Sequence, residues 1–87
     1  MFKLKSETIE INGETFEVRE APAGVVYKIM GKLAEDPEAQ RALVMHSVYY
    51  NGAPIGDNFD LIGGSAYMPL LTKAMEMIQP PGGLGND

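Results

Sequence analysis

The sequence predicts an α+β fold, an N-terminal β-hairpin packed against about three α-helices. Three observations carry this. Two runs of alternating apolar and polar residues flank Asn12-Gly13, the residue pair best suited to a type I′ turn. Proline stands at two helix-start positions, Pro22 and Pro37. Tyr67, Leu70, Leu71, Ala74 and Ile78 recur at helical spacing. A chain of 87 residues has room for a single core. That domain is assigned to residues 1–79, and the Pro- and Gly-rich residues 80–87 read as a flexible tail, too poor in apolar area to offset ordering entropy.

With a two-residue loop, Ile11 lies opposite Glu14 and Ile9 opposite Phe16. Ile9, Ile11, Phe16 and Val18 then share a dry face, while Thr8, Glu10, Thr15 and Glu17 share a wet one. Phe2 and Leu4 have the opposite parity, so a strand over residues 1–5 would need a break near Ser6.

Val25, Val26, Ile29, Met30 and Leu33 follow Pro22 at helical spacing and predict a helix over residues 22–35. Gly31 inside it either allows a close approach or weakens the helix. Asp36-Pro37-Glu38 starts a second helix, with a capping carboxylate, a proline in the first turn and an acid at the positive end of the dipole. Its end is ambiguous. Apolar residues from Leu43 to Tyr50 surround the helical wheel, so residues 44–50 are either helical and buried on several sides or partly extended. Asn51-Gly52-Ala53-Pro54 forces a turn, residues 55–58 read as an exposed connection, and Phe59 and Leu61 are expected to tuck inward. Ser65 is placed as the N-cap of the last helix, residues 66–79, with Pro69 in its first turn.

Composition excludes much chemistry. The chain has no Cys and one His, His46, which removes disulfides, thiolate nucleophiles and Cys- or His-clustered metals. A net charge of −5 opposes binding to a phosphate backbone, and no apolar run is long enough for a membrane span or a secretion signal. The expectation is a cytosolic protein with no nucleic-acid or membrane partner, no cofactor and no metal.

Individual groups favour structural roles. Glu7, Glu10, Glu14 and Glu17 lie around the hairpin without the apolar walls that would keep a catalytic carboxyl protonated, and solvated surface accounts for them. Asp57 and Asp60 lack the spacing of a calcium loop. Gly63-Gly64-Ser65 lacks the lysine of a phosphate loop, and His46 beside Ser47 has no acidic neighbour to orient it. The residues point away from an enzyme.

The methionines carry the functional reading. With Tyr67, Leu70, Leu71, Ala74 and Ile78 at the centre of the last helix, Met68 and Met75 fall on one flank and Met77 on the other. They widen the apolar arc to roughly 180°, where a surface helix needs about 100°. Either both flanks are core, or one is open to a partner and uses the adaptable thioether chain of methionine. Met68, Met75 and Met77 are therefore the candidate partner-binding residues.

The order of parts resembles the tail assembly chaperones of long-tailed bacteriophages. It runs from an acidic strand pair over residues 8–18 and a Pro-led helix from Ala21-Pro22 to a second helix from Asp36-Pro37-Glu38. The turn Asn51-Gly52-Ala53-Pro54-Ile55 follows, then Phe59-Asp60-Leu61, and Leu70-Leu71 on a closing helix with a loose tail. The resemblance implies a noncatalytic protein that binds the long helical tape measure protein and helps recruit tail tube subunits. It implies a cytoplasmic location in the bacterial host, absence from the mature virion, and in many members homo-oligomers. It also implies that a longer frameshifted form can exist, which GGGAAAC across the codons of Leu84, Gly85 and Asn86 would permit. The alternatives are a structural minor tail or head-tail component retained in the virion, and a small acidic regulator or inhibitor of another protein.

Overall fold

A computed structural model of the chain describes residues 3–79 and shows an α+β fold. Strands β1 (Ser6–Ile11) and β2 (Glu14–Arg19) form the expected hairpin, with Ile11 opposite Glu14 and Ile9 opposite Phe16. Asn12 and Gly13 have φ of 55° and 83°, the two positive angles a type I′ turn requires. Phe16 and Val18 are buried, and Ile9 and Ile11 pack against them from the edge. Residues 3–5 form no strand. Strand pairing begins at Ser6, and the Lys5 carbonyl, which accepts from the Glu20 amide at 2.7 Å, keeps the register of the hairpin without the break expected near Ser6.

The hairpin grows into a four-stranded antiparallel sheet of order β1-β2-β3-β4. Strands β3 (Val48–Tyr50) and β4 (Ala53–Pro54) are joined by a second Asn-Gly pair, Asn51 at φ 55° and Gly52 at φ 83°, repeating the first turn. Val48 lies opposite Val18 and Tyr49 opposite Glu17, which adds β3 to the inner edge of the hairpin. The helices cover one face. On the other, Arg19 donates to Glu17 at 3.1 Å and stacks over Tyr49, its guanidinium 3.8 Å from the ring centroid.

Between β2 and β3 run α1 (Ala23–Ile29), a 3₁₀ turn (Met30–Lys32) and α2 (Pro37–Ser47). The first helix is shorter than the periodicity of residues 22–35 predicts, because it tightens into 3₁₀ geometry around Gly31. A Cβ built on Gly31 meets nothing within 4 Å, so this glycine weakens the helix and permits no close approach. Asp36 caps α2 as expected, accepting from the Glu38 amide at 2.9 Å. Both readings of residues 44–50 hold in part. The helix continues to Ser47, where the Val48 amide still bonds the Val44 carbonyl, and the chain then extends into β3.

Two expectations for residues 55–62 are overturned. Ile55 is 2 % exposed and belongs to the core, its amide held by the Val48 carbonyl at 3.0 Å. Leu61 is 80 % exposed instead of turned inward. Residues Gly56–Leu61 form a 3₁₀ helix, in which side chains three apart share a side, so Phe59 aligns with Ile62 and Leu61 is left outside.

The last helix, α3, spans Gly64–Met77 and starts two residues earlier than predicted. Gly63 occupies the N-cap, and Ser65 lies inside the first turn, its Oγ accepting from Asn12 Nδ2 at 3.1 Å across the hairpin turn. Pro69 consequently sits inside the helix, where it offers no amide to the Ser65 carbonyl. Ala66, Leu70, Leu71, Ala74 and Met77 are buried against β2 and α2, and Leu43, Val44, Val48 and Val18 complete the centre of the core. No helix among the described residues is long and apolar enough to cross a membrane. The tail assigned to residues 80–87 and the position of Phe2 lie outside the described residues.

Candidate functional site

The three methionines of α3 separate by burial. Met77 is 3 % exposed and part of the core, so it presents nothing to a partner. Met75 is half-buried and packs on the core from its edge. Met68 is 58 % exposed. The wheel expectation centred the buried face near Tyr67. The buried set Ala66, Leu70, Leu71, Ala74 and Met77 is centred about 50° round the axis, toward the Met77 side, at about 100° per residue. That rotation closes one flank and opens the other. Its cause lies outside α3, because the sheet and α2 together set which side of the helix is covered.

The open flank borders a shallow groove between α3 and β1, lined by Ile9, Met68, Pro69, Thr72, Lys73 and Glu76. Its floor is apolar. One rim carries Lys73, whose Nζ lies 2.9 Å from Glu7 and 3.4 Å from Glu76. The hydrogen bond to Glu7 is the main reason that the Lys73 ammonium is held above its ordinary value, opposed by partial burial. The lysine is thus occupied within its own subunit, and the groove offers mainly dispersion and area burial to a visitor. Elsewhere Tyr27 and Met30 are exposed on and after α1.

A second concavity of about 380 Å³ lies at the opposite end of the hairpin, walled by Ile11, Phe16, Ile55, Ile62 and Ala66. Leu61 and the edge of Tyr50 reach its mouth, and Tyr50 stacks on Phe16 at 5.4 Å between centroids. The Tyr50 hydroxyl donates to Glu14 across the hairpin, and this bond, with the negative charge itself, raises the phenol above its ordinary value. The cleft was not foreseen. The repeat of Asn-Gly at positions 51–52 was its available sign, since a second type I′ turn implies a second strand pair and draws Ile55 inward.

The groups weighed for chemistry stay apart. His46 is exposed on the last turn of α2. Asp60 faces Arg41 at 3.7 Å, whereas Glu14 is engaged by Tyr50. Among the described residues no three His, Cys, Asp or Glu side chains converge as a metal site. What the surface arranges is apolar area with a polar rim, suited to holding a side chain or a helix face. Comparison of the chain with family models, with curated proteins and with solved structures finds no match.

Proposed function

We propose that this protein is a noncatalytic tail assembly chaperone, holding a long amphipathic helical client of the tape measure type in the bacterial cytoplasm until tube subunits surround it. The observation that carries the reading is the half-open apolar flank of α3. Met68 stands 58 % exposed beside Ile9 and Pro69 in a groove whose polar rim is already paired. A helix docking there meets a floor that methionine can reshape. The groove is shallow, so each contact is weak, and a repeating client bound by many copies gains its hold through avidity.

Co-expression with a long helical protein of the tape measure type tests this. The soluble fraction of that protein should rise with the wild-type chain and return to its unassisted level with Met68→Glu, which should keep its fold because Met68 is 58 % exposed. No rise with the wild-type chain, or the same rise with the variant, overturns the reading. Mass spectrometry of purified particles should find the chain missing; its presence in stoichiometric amount would identify a structural component instead.

A further inference from the structure

The helix-covered face of β1 and β2 carries two acids. Residues directly opposed across a strand pair point to the same side, so Glu7 stands with Val18 and Glu14 with Ile11, in the register that buries Phe16 and Val18. The two acids are met differently. Glu7 has Lys73 of α3 at 2.9 Å. Glu14, at the turn end of the hairpin, belongs to no ion pair among the described residues and receives only the neutral hydroxyl of Tyr50. It lines the cleft of about 380 Å³, and every other side chain lining that cleft is uncharged. The neighbouring rings also lack a cation. Arg19 covers Tyr49 at 3.8 Å and Arg41 lies over Phe59 at 5.2 Å, whereas among the described residues no cation stacks on Phe16 or Tyr50.

We infer that this cleft binds a small organic cation, a primary ammonium carried on a compact apolar body, with Glu14 as its counter-ion. The size fits. A volume of about 380 Å³ lies at the small end of ligand pockets, which run from roughly 300 to 1,000 Å³. It holds about a dozen nonhydrogen atoms if each takes about 30 Å³, the share of a water molecule in the liquid. The charge fits as well, because the one ionised group of the lining is negative and the whole chain carries −5.

The order of polarity selects a free amine over a basic side chain of a polypeptide. Phe16, Ile55 and Ala66 are buried and form an apolar floor, while Glu14 is exposed at the rim. A lysine or arginine side chain enters tip first, which would set its charge on that floor. A small arylalkylamine enters with its apolar body first and leaves the ammonium at the rim, within reach of the Glu14 carboxylate and the face of Tyr50. Gly63, the N-cap of α3, also lines the cleft, and the positive end of that helix disfavours a cation on its side and turns the ammonium toward Glu14. None of these residues belongs to the Met68 groove, so the inference stands apart from the identity of any helical client.

Proton–nitrogen correlation spectra of the full chain, titrated at pH 7 with 2-phenylethylammonium chloride, test it. The amides of Glu14, Phe16, Ile62 and Ala66 should shift and saturate together with a Kd at or below about 1 mM. The uncharged isostere 2-phenylethanol should bind about three- to tenfold more weakly, the span between an exposed ion pair and a charge-assisted hydrogen bond. Glu14→Gln keeps an acceptor for the Tyr50 hydroxyl, so it should melt with the parent and bind the amine no better than the alcohol. Leu61→Ala shortens an apolar wall at a residue 80 % exposed, so it should leave the fold intact and weaken both ligands. A Kd above about 1 mM, equal affinity of the parent for amine and alcohol, or an unchanged preference in a folded Glu14→Gln would each overturn the inference. Tighter binding of a capped Phe-Lys dipeptide than of the amine would overturn it too, by making the occupant a polypeptide.

Discussion

Replacing Met77 by glutamate and, in a separate protein, Met68 by glutamate makes the same chemical change nine residues apart on α3, with different environments. Met77 keeps only 3 % of its surface in water. Truncating a side chain so placed costs about 2–5 kcal/mol through lost transfer energy and the cavity left behind. A carboxyl in the same place must also shed its hydration or take up a proton, adding to that cost. A domain of this size has about 5–15 kcal/mol of stability, with small domains near the low end. Met77→Glu should therefore lower Tm by more than about 8 °C, at about 4–8 °C per kcal/mol, or leave the chain unfolded at room temperature. Met68 has 58 % of its surface exposed already, so its replacement forfeits less than about 1 kcal/mol of burial. Its Tm should stay within about 8 °C of the parent. Thermal melts followed by far-ultraviolet circular dichroism read both variants. Equal losses would refute the assignment of one flank of α3 to the core and the other to the surface, and with it the groove on which the functional reading stands.

Gly13→Val should cost about 1–3 kcal/mol by forcing a β-branched residue to φ 83° in the hairpin turn, read as a lower urea midpoint. An unchanged midpoint would mean that the turn can re-form in another geometry. Ser47 is fully buried at the end of α2, and among the described residues its Oγ has no hydrogen-bond partner. Ser47→Ala should accordingly raise stability by about 1 kcal/mol, and a loss would reveal a partner for the hydroxyl in solution. The Tyr50 phenol is raised by its bond to the Glu14 carboxylate, so its contribution to folding is fully present below its ordinary value of 10.0 and is lost as pH climbs through the raised folded value. A pH series of urea midpoints should show that alkaline decline in the parent and a flatter profile in Tyr50→Phe.

Local chemistry was readable wherever neighbouring residues supply all the constraints. Asn12-Gly13 determines a turn whose two positive φ angles few other pairs tolerate, and that turn determines the register of every pair from Ile11 to Ser6. Asp36-Pro37-Glu38 is likewise self-sufficient, because the cap, the missing amide and the dipole act within one turn. Gly31 lies at the limit of this kind of reading. Its cost to a helix was visible, but whether a neighbour needed the space was not.

The sequence by itself therefore determined the hairpin and its two faces, the start of α2, and an excess of apolar side chains on α3. Tertiary structure decided how that excess divides. A helical wheel records which residues lie beside one another and carries no information on the direction from which the sheet approaches. β2 and α2 reach α3 from the Met77 side, which buries Met77 and leaves Met68 in water beside Ile9. The inward turn of Ile55 and the outward turn of Leu61 were hidden for the same reason, since each depends on where the chain is held by a strand formed far away in sequence. Burial is a relation between elements, so it becomes legible only when the elements are assembled.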